Sequence, residues 1–347
     1  MPDQRDYFAT SPGRFSGVTV VSLPAPGFAR RGAALADHLA AVLAHPAGPG
    51  GGLPMSLAES LPADRADALR ALATVYDLDL APIEELGRAV EWQHEPAIAT
   101  LKGRLEATYE DSLDRYGDSV LAEIGGDPAA DPVGAVRALA ALDRVAPVSD
   151  WLADQANWDE FVEFITLEGG PDDSFDDLVA MCQVALPAQA KLELARNYWD
   201  ELGNGRSEAV HRELHRRLVA AIGIRPIPRR DLDEVALSRS ILGGFLATNR
   251  RLQPEMVGAL GMVELQAGPR CRRVVRALER LGGHPDAMSF YEEHAVADPR
   301  HGKDWLEQAI ASLVDRGWGA GIVRGAAWRV AVNRRFFDAV AERFGLT

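Results

Sequence analysis

Two histidines and an aspartate in the last sixth of the chain are the side chains best suited to chemistry. His294, Asp298 and His301 follow one another at spacings i, i+4 and i+7. On a helix these positions lie within roughly 60° of one another, because each residue advances the helix by about 100°. Neutral imidazole and carboxylate together suit iron, manganese or zinc. The stretch is therefore predicted to supply half of a metal site, with a solvent-exposed polar helix face as the alternative.

A proline complicates a single helix over this stretch. Asp298 is followed by Pro299, and Asp-Pro is typical of a helix start, with Asp as the capping residue and Pro at the first helical position. The sequence therefore predicts one helix from Pro285 to Val296 and a second from Pro299 to Val314. Asp298 is then either only a cap, or both a cap and a metal ligand.

Other helices must supply the rest of such a site, and three further residues have suitable chemistry. Glu201 and His211 flank a turn that contains glycines. Glu264 is a lone carboxylate in an apolar helix, where burial is costly unless the group is paired, hydrogen-bonded or bound to metal. An ion pair with Arg270 or Arg273 is the alternative for Glu264. The first-choice ligands are Glu201, His211, Glu264, His294, Asp298 and His301, and Glu208, three residues before His211, is a second-choice ligand.

The number of carboxylates indicates how many ions the site would hold. Three carboxylates and three histidines from at least three helices suit a carboxylate-bridged pair of metal ions in a helical bundle. They exceed what a single catalytic zinc needs.

His211 and His215 are spaced as in the zinc-protease motif HExxH, but Arg212 stands where that motif requires glutamate. A protease is therefore not expected; His211 is predicted to face the core and His215 to face solvent.

The elements that must position these residues are predicted to be helical. From about residue 56 onward, apolar residues recur at three- and four-residue spacing, and no alternating strand pattern emerges. This periodicity predicts an all-α protein. Residues 1–55 are predicted to be an irregular N-terminal extension with one helix, from Ala33 to Ala44, and a Gly/Pro linker. Residues 56–347 are predicted to form the helical domain.

Two further prolines are predicted to interrupt helices. Pro187 lies near the middle of an apolar stretch from Phe175 to about Asp200 and is expected to kink or break it. Pro269 is expected to begin a new helix after the one that ends at Ala267.

Composition and charge limit the classes of function. The chain has 347 residues, of which 47% are hydrophobic, and a net charge of −14. An acidic chain argues against nonspecific binding to nucleic acid or to an anionic membrane. Its two cysteines, Cys182 and Cys271, have no CxxC spacing. With no signal peptide and no membrane-spanning stretch recognised, the sequence predicts a cytoplasmic location.

The order of the candidate ligands resembles that of a known family. Glu, His and Glu followed by His-x3-Asp-x2-His is similar to the pattern of the haem-oxygenase-like di-iron oxidases and oxygenases, often catalogued as iron-containing redox enzymes. The stretch from Asn197 to His211 is similar to the family's Glu-to-His segment. His294, Asp298 and His301 match its terminal motif residue by residue, and Glu264 lies about where its middle-helix glutamate should.

The resemblance covers roughly residues 90–345 and implies a haem-oxygenase-like helical bundle that holds two ions of Fe(II)/Fe(III) rather than haem. It implies that dioxygen is activated to oxidise a small organic substrate, by C–H or C–C cleavage or by N-oxygenation. The expected partners are dioxygen, the substrate, an external electron donor and a second copy of the chain, with no nucleic acid and no membrane. Some relatives carry a further glutamate, and the resemblance makes Glu168 a second-choice ligand that could match it, while Glu208 competes with Glu201.

Two other functions fit the same residues. One is a metal-free helical protein that binds a small molecule, and the other is a zinc or manganese hydrolase of the same fold. Five aromatic residues are candidates for the wall of an apolar cavity, with core packing as the alternative: Tyr198, Trp199, Phe290, Tyr291 and Trp305.

Overall fold

The computed structural model describes residues 34–45, 52–142, 147–168, 175–225 and 227–346. Over these ranges the chain is helical and contains no strand, so the predicted all-α class is confirmed. The α-helices are α1 Leu35–Leu43, α2 Arg65–Leu80, α3 Ile83–Leu86, α4 Pro96–Ile124, α5 Pro132–Leu142, α6 Pro147–Asp154, α7 Trp158–Glu168, α8 Phe175–Cys182, α9 Ala188–Glu201, α10 His211–Ile222, α11 Glu234–Ser240, α12 Leu242–Ala247, α13 Gln253–Leu281, α14 Pro285–Asp304, α15 Ala311–Val314 and α16 Gly319–Arg343.

Shorter helical segments connect several of these helices. The 3-10 segments are Met55–Leu57, Gly87–Trp92, Gly203–Gly205, Ser207–Ala209, Arg229–Asp231 and Arg250–Leu252. A π-helical segment, Trp305–Ile310, joins α14 to α15. Among the helices described, none is long and apolar enough to cross a membrane.

Two of the internal prolines do not divide helices. α13 continues through Pro269 and α14 through Pro299, so the prediction of separate helices at these points is wrong. Proline has no N–H and leaves the carbonyl four residues earlier without its helical hydrogen bond. In α14 that carbonyl belongs to Ala295, and Arg272 of α13 donates to it at 3.1 Å. At Pro187, in contrast, the helix is interrupted between α8 and α9, as predicted.

Helix α13 is the central element, and it packs most extensively against α14 and α16. The buried apolar side chains form two clusters. The larger includes α2, α4, α12 and the N-terminal half of α13, and the smaller includes α7, α10, the first half of α14 and the C-terminal half of α13. Because α13 belongs to both clusters, it holds together the two halves of the core.

Small residues let α13 and α14 approach closely near the predicted ligands. A Cβ atom added to Gly302 would lie 2.9 Å from the backbone oxygen of Glu264. A Cβ atom added to Gly268 would lie 2.9 Å from Cδ of Pro299. A larger residue at Gly302 would push the backbones apart, because close-packed interiors leave no room for it. The absence of a side chain at Gly302 therefore keeps the neighbouring His301 beside the part of α13 that carries Glu264.

One carboxylate fixes the first described helix to the second. Asp67 of α2 accepts hydrogen bonds from the backbone N–H groups of Leu35 and Ala36 at 2.9 and 3.0 Å. Residues 1–33 and 46–51, which make up most of the predicted extension and linker, lie outside the described residues. The domain boundary at residue 55 stays a prediction.

Candidate metal centre

Glu201 ends α9, His211 begins α10, and the turn between them brings their side chains together. Gly203 in this turn has φ of +62°, and a Cβ atom there would lie 2.5 Å from the carbonyl carbon of Ala209. Only glycine combines this backbone conformation with so close an approach. As a result, Oε2 of Glu201 contacts Nδ1 of His211, and both side chains are buried.

Two groups of three side chains bring their ligand-type atoms within 4.8 Å of one another. The first group contains Glu201, His211 and His294, and the second contains Glu201, Glu264 and His301. Two ligands at about 2.0–2.2 Å from one ion lie up to roughly 4.4 Å apart, so this spacing is close to that of a bound metal. Glu201 belongs to both groups. The fold thus brings five of the first-choice ligands together.

Asp298, the remaining first-choice residue, lines the same cavity but belongs to neither group. It lies inside α14, so the prediction that it caps a helix is wrong; the support that Pro299 receives from α13 lets the helix run through. Its Oδ2 atom is buried without a hydrogen-bond partner among the described residues. Of the second-choice residues, Glu168 lines the cavity, whereas Glu208 is exposed.

Each of the two histidines on α14 has one ring nitrogen fixed by a neighbour. Nδ1 of His294 lies 2.7 Å from the carbonyl oxygen of Phe290. A carbonyl only accepts, so Nδ1 carries the proton and Nε2 keeps its lone pair. Nε2 of His301 lies 2.9 Å from Oδ2 of Asp200, which leaves Nδ1 of His301 facing Oε2 of Glu264 at 3.5 Å.

Glu264 likewise has one side-chain atom fixed by a hydrogen bond from a neighbouring residue. Asn197 of α9 donates to its Oε1 at 2.8 Å, and Oε2 is buried without a hydrogen-bond partner in the described part of the chain. Arg273, one of the two arginines considered as partners of Glu264, binds Asp150 at 2.7 Å instead. Asn197 thus orients the carboxylate and leaves one oxygen directed at the other candidate ligands.

Burial and mutual repulsion control the charges at this centre. Burial, followed by the charge of Glu264, raises the pKa of Glu201 and of Asp298 well above the usual values for these carboxyl groups. Burial lowers the pKa of His211, and burial together with His211 lowers the pKa of His294 to about 3. These two imidazoles are therefore neutral at pH 7, which is the form that binds metal.

His301 behaves differently from the other two histidines. Burial alone would lower its pKa, but the nearby carboxylates of Glu264 and Asp200 outweigh burial and raise the pKa to about 9. His301 therefore holds a proton at neutral pH in the absence of metal. A metal ion at Nδ1 would have to displace that proton, because metal and proton compete for the same lone pair.

Two residues of α9 that support the candidate ligands were not predicted from the sequence. Asn197 precedes Glu201 by one helical turn, so their side chains share a face of α9. Asp200 precedes Glu201 directly and also accepts a hydrogen bond from Arg300 at 2.7 Å. The spacing of Asn197 is a usable signal, whereas nothing local distinguishes Asp200 from the other acidic residues of the chain.

The cavity has a volume of about 170 Å³ and lies where the two hydrophobic clusters meet. Phe290 and Tyr291 line it, as the sequence analysis allows, whereas Trp199 is half exposed. Trp305 packs in the core and donates to the carbonyl of Val257 at 3.1 Å. Tyr198 packs against the larger cluster.

His215 also lines the cavity, so the prediction that it faces solvent is wrong. Its ring lies 6.0 Å from that of Phe290.

Comparison with known proteins identifies a family over the part of the chain that carries these residues. Residues 163–334 match the model of a family described as iron-containing redox enzyme. No curated protein matches the chain. All first-choice and second-choice ligands lie within the matched segment. The family expected from the order of the ligands is confirmed.

Proposed function

We propose that this chain, which belongs to the iron-containing redox enzyme family through residues 163–334, is a non-haem di-iron oxidase or oxygenase. The proposed reaction is the oxidation of a small organic substrate by dioxygen, through C–H or C–C cleavage or through N-oxygenation. Family membership supports a redox role that depends on iron. The more specific proposal of two iron ions depends on the geometry of the centre.

The observation that carries this proposal is the shared position of Glu201. It belongs to both groups of candidate ligands, as expected of a carboxylate that bridges two metal ions in a helical bundle. On this proposal, His211 and His294 would hold one ion and Glu264 and His301 the other. Asp298 would complete the set from the same cavity wall.

The unpartnered atoms of the centre support a fit to metal. The buried atoms without a hydrogen-bond partner among the described residues include Oε2 of Glu264, Oδ2 of Asp298 and Nδ1 of His301. Leaving a buried polar atom unpaired costs about 1–3 kcal/mol. Metal ions would satisfy all three atoms, and none of them is needed for a helical hydrogen bond.

The donor types favour iron over metals that prefer sulfur. Imidazole and carboxylate suit iron, manganese and zinc. Cys271 lines the cavity but belongs to neither group of converging ligand atoms, and burial raises the pKa of its thiol well above the usual value. When bound, a pair of iron ions supplies electrons for the reduction of dioxygen.

The protein's own contribution is to orient the ligands and to exclude water. Phe290 stacks on His294 with ring centroids 4.1 Å apart. Its carbonyl oxygen accepts a hydrogen bond from Nδ1 of His294. Leu260 and Val263 of α13 line the cavity beside Glu264. Such an apolar wall protects a reactive centre from side reactions with water.

Metal content and dioxygen uptake test the proposal. Protein produced in iron-replete medium should contain iron, and protein loaded with Fe(II) without oxygen should consume dioxygen and develop a transient visible absorption on aeration. Protein that holds one zinc ion tightly and consumes no dioxygen after Fe(II) addition would favour the hydrolase. Protein that binds none of these metals would favour the metal-free binding protein.

A further inference from the structure

The last turn of α9 contacts two candidate ligands in addition to supplying Glu201. Oδ2 of Asp200 lies 2.9 Å from Nε2 of His301, and Asn197 donates to Oε1 of Glu264 at 2.8 Å. We propose that Asp200 is a positioning residue whose negative charge makes His301 a stronger electron donor to metal than the other histidine of α14. As a statement about ligands of the proposed ion pair, this inference rests on the proposed function.

The contact between Asp200 and His301 determines which ring nitrogen of His301 can bind a metal ion. A carboxylate oxygen only accepts hydrogen bonds, so Nε2 of His301 carries a proton and donates a hydrogen bond to Asp200. The other ring nitrogen, Nδ1, is buried without a hydrogen-bond partner in the described part of the chain and lies 3.5 Å from Oε2 of Glu264. Asp200 therefore leaves Nδ1 as the nitrogen that can bind an ion shared with Glu264.

Neighbouring side chains hold the carboxylate of Asp200 in place. Nη2 of Arg300 donates to Oδ2 of Asp200 at 2.7 Å, and the side chain of Asn204 forms a hydrogen bond with Asp200 from the turn after α9. The Asp200 side chain is only 21% exposed. A partner fixed in this way can orient a ligand imidazole, because the ring cannot turn without losing its hydrogen bond.

The other histidine of α14 has a neutral partner instead. Nδ1 of His294 donates to the backbone carbonyl oxygen of Phe290 at 2.7 Å. A carboxylate that accepts a hydrogen bond from a ligand imidazole makes the ring more basic and a better donor to metal. A hydrogen bond to a charged group is also roughly twice as strong as one between neutral groups. Removing the charge of Asp200 should therefore weaken the ion position of His301 and leave that of His294 unchanged.

Spacing on α9 lets one turn of helix serve a whole group of ligands. Asn197, Asp200 and Glu201 occupy positions i, i+3 and i+4, which lie close together on a helix surface. Glu201, Glu264 and His301 form one of the two groups of converging ligand atoms. Helix α9 therefore supplies one member of this group and holds the other two through hydrogen bonds. A change at Asp200 should act on this group alone.

NMR of the zinc-loaded protein with isotope-labelled histidine tests the role of Asp200, because Zn(II) is diamagnetic and binds imidazole and carboxylate. The Nε2 proton of His301 should resonate further downfield than the Nδ1 proton of His294, since its acceptor is charged. Asp200→Asn keeps the shape and one acceptor oxygen but removes the charge, so it should move the His301 proton upfield. The His294 proton should not move and serves as the internal control. The comparison of the two protons in the parent protein remains informative if the variant fails to fold.

Zinc affinity measures the same effect on binding. Asp200→Asn should lower the affinity for one of the two ions by about tenfold to hundredfold and leave the affinity for the other unchanged. Asp200→Glu keeps the charge and should retain more affinity than Asp200→Asn. Asp150→Asn is the matched control, because Asp150 also pairs with an arginine, Arg273, at 2.7 Å but belongs to neither group of ligands. The thermal midpoint of each metal-free variant shows whether the fold is retained.

Either of two results would overturn the role of Asp200. One is an Asp200→Asn variant with unchanged zinc affinity and an unmoved His301 proton, and the other is loss of both ions together with a lower thermal midpoint. Zinc binding that depends on the charge of Asp200, in a protein that consumes no dioxygen after Fe(II) addition, would overturn the proposed function and support the positioning role. Two bound iron ions and dioxygen uptake, with Asp200→Asn indistinguishable from the parent, would do the reverse.

Discussion

Two clusters of acidic side chains in the described part of the protein have their charges compensated differently. In the first, Arg324 of α16 forms ion pairs with Glu110, Asp114 and Glu255 at 2.9, 2.8 and 3.3 Å. The pKa of Glu110 is lowered, chiefly by a hydrogen bond from Arg251. This group, called the Arg324 network below, carries its own counter-charges, so its carboxylates have a structural role.

In the candidate metal centre, the nearest charges make ionisation harder. Burial raises the pKa values of Glu201 and Asp298, and Glu264 raises them further. Arg270 lowers the pKa of Asp298, yet the net shift is still upward. The comparison teaches that a buried carboxylate indicates a functional site when the cations of its own surroundings do not outweigh burial and the repulsion of neighbouring carboxylates.

The largest expected effect is that of removing the shared carboxylate. Glu201→Gln should prevent iron from binding at both positions, because Glu201 belongs to both groups of ligands. Glu110→Gln in the Arg324 network should leave iron content unchanged but lower the free energy of unfolding by about 1–3 kcal/mol, since two arginines lose an acceptor. Iron analysis and urea denaturation measure both variants. Full iron content in Glu201→Gln would remove the bridging carboxylate from the proposal.

The metal-free protein should lose stability as the pH rises from about 6.5 to about 9. The pKa of His301 is raised from 6.5 to about 9 in the folded protein. The folded state therefore holds a proton that the unfolded state releases, and a shift of this size contributes on the order of 3 kcal/mol below pH 6.5. The raised pKa values of Glu201 and Asp298 act in the same direction.

Urea denaturation at pH 6.5 and pH 9, with and without bound metal, measures this pH dependence. Metal-loaded protein should be less sensitive over this range, because a bound ion takes the place of the His301 proton. A metal-free protein that becomes more stable between these pH values would contradict the predicted charge state of His301.

A smaller effect is expected when the carboxylate outside the two groups is neutralised. Asp298→Asn removes a negative charge near Glu201 and Glu264 and keeps the shape of the side chain. We expect weaker iron binding at one position, and a metal-free protein whose thermal midpoint is unchanged or slightly higher, because a repulsive buried charge is lost. Iron stoichiometry and the midpoint are measured together. Unchanged iron content would exclude Asp298 from the ligand set.

The smallest effect is expected at Glu208. This residue is exposed beside the turn from α9 to α10, so Glu208→Gln should leave iron content unchanged and shift the free energy of unfolding by less than about 0.5 kcal/mol. Loss of iron in this variant, measured by the same metal analysis, would mean that Glu208 rather than Glu201 serves the centre.

Most of the fold could be predicted because its helices are amphipathic and their local patterns agree with the packing. The exceptions at Pro269 and Pro299 have a tertiary cause. At Pro299 the missing backbone hydrogen bond is replaced by a donor, Arg272, from another helix. No pattern within α14 could reveal that donor, so local rules predicted a helix start instead.

The parts of the site that depend on local sequence patterns could be predicted, and the parts that depend on contacts between distant helices could not. Spacing within one helix placed His294, Asp298 and His301 on one face, and the glycines after Glu201 indicated a tight turn towards His211. The cavity, in contrast, is also lined by Arg239, Arg270 and Arg329, which come from three helices that lie far apart in the sequence. Arginines are frequent in this chain, and only the packing of α11, α13 and α16 distinguishes three of them from the rest.

The π-helical segment Trp305–Ile310 has a consequence for how sequences of relatives should be aligned. A π turn contains one residue more than the α turn that it replaces. Here the extra residue resets the helical phase between the end of α14 and α15, while Glu307 and Gln308 face outward. A relative that lacks one residue here could keep the same helices by forming an ordinary α turn. A one-residue gap at 305–310 in an alignment is therefore compatible with an unbroken helix and an unchanged position of His301.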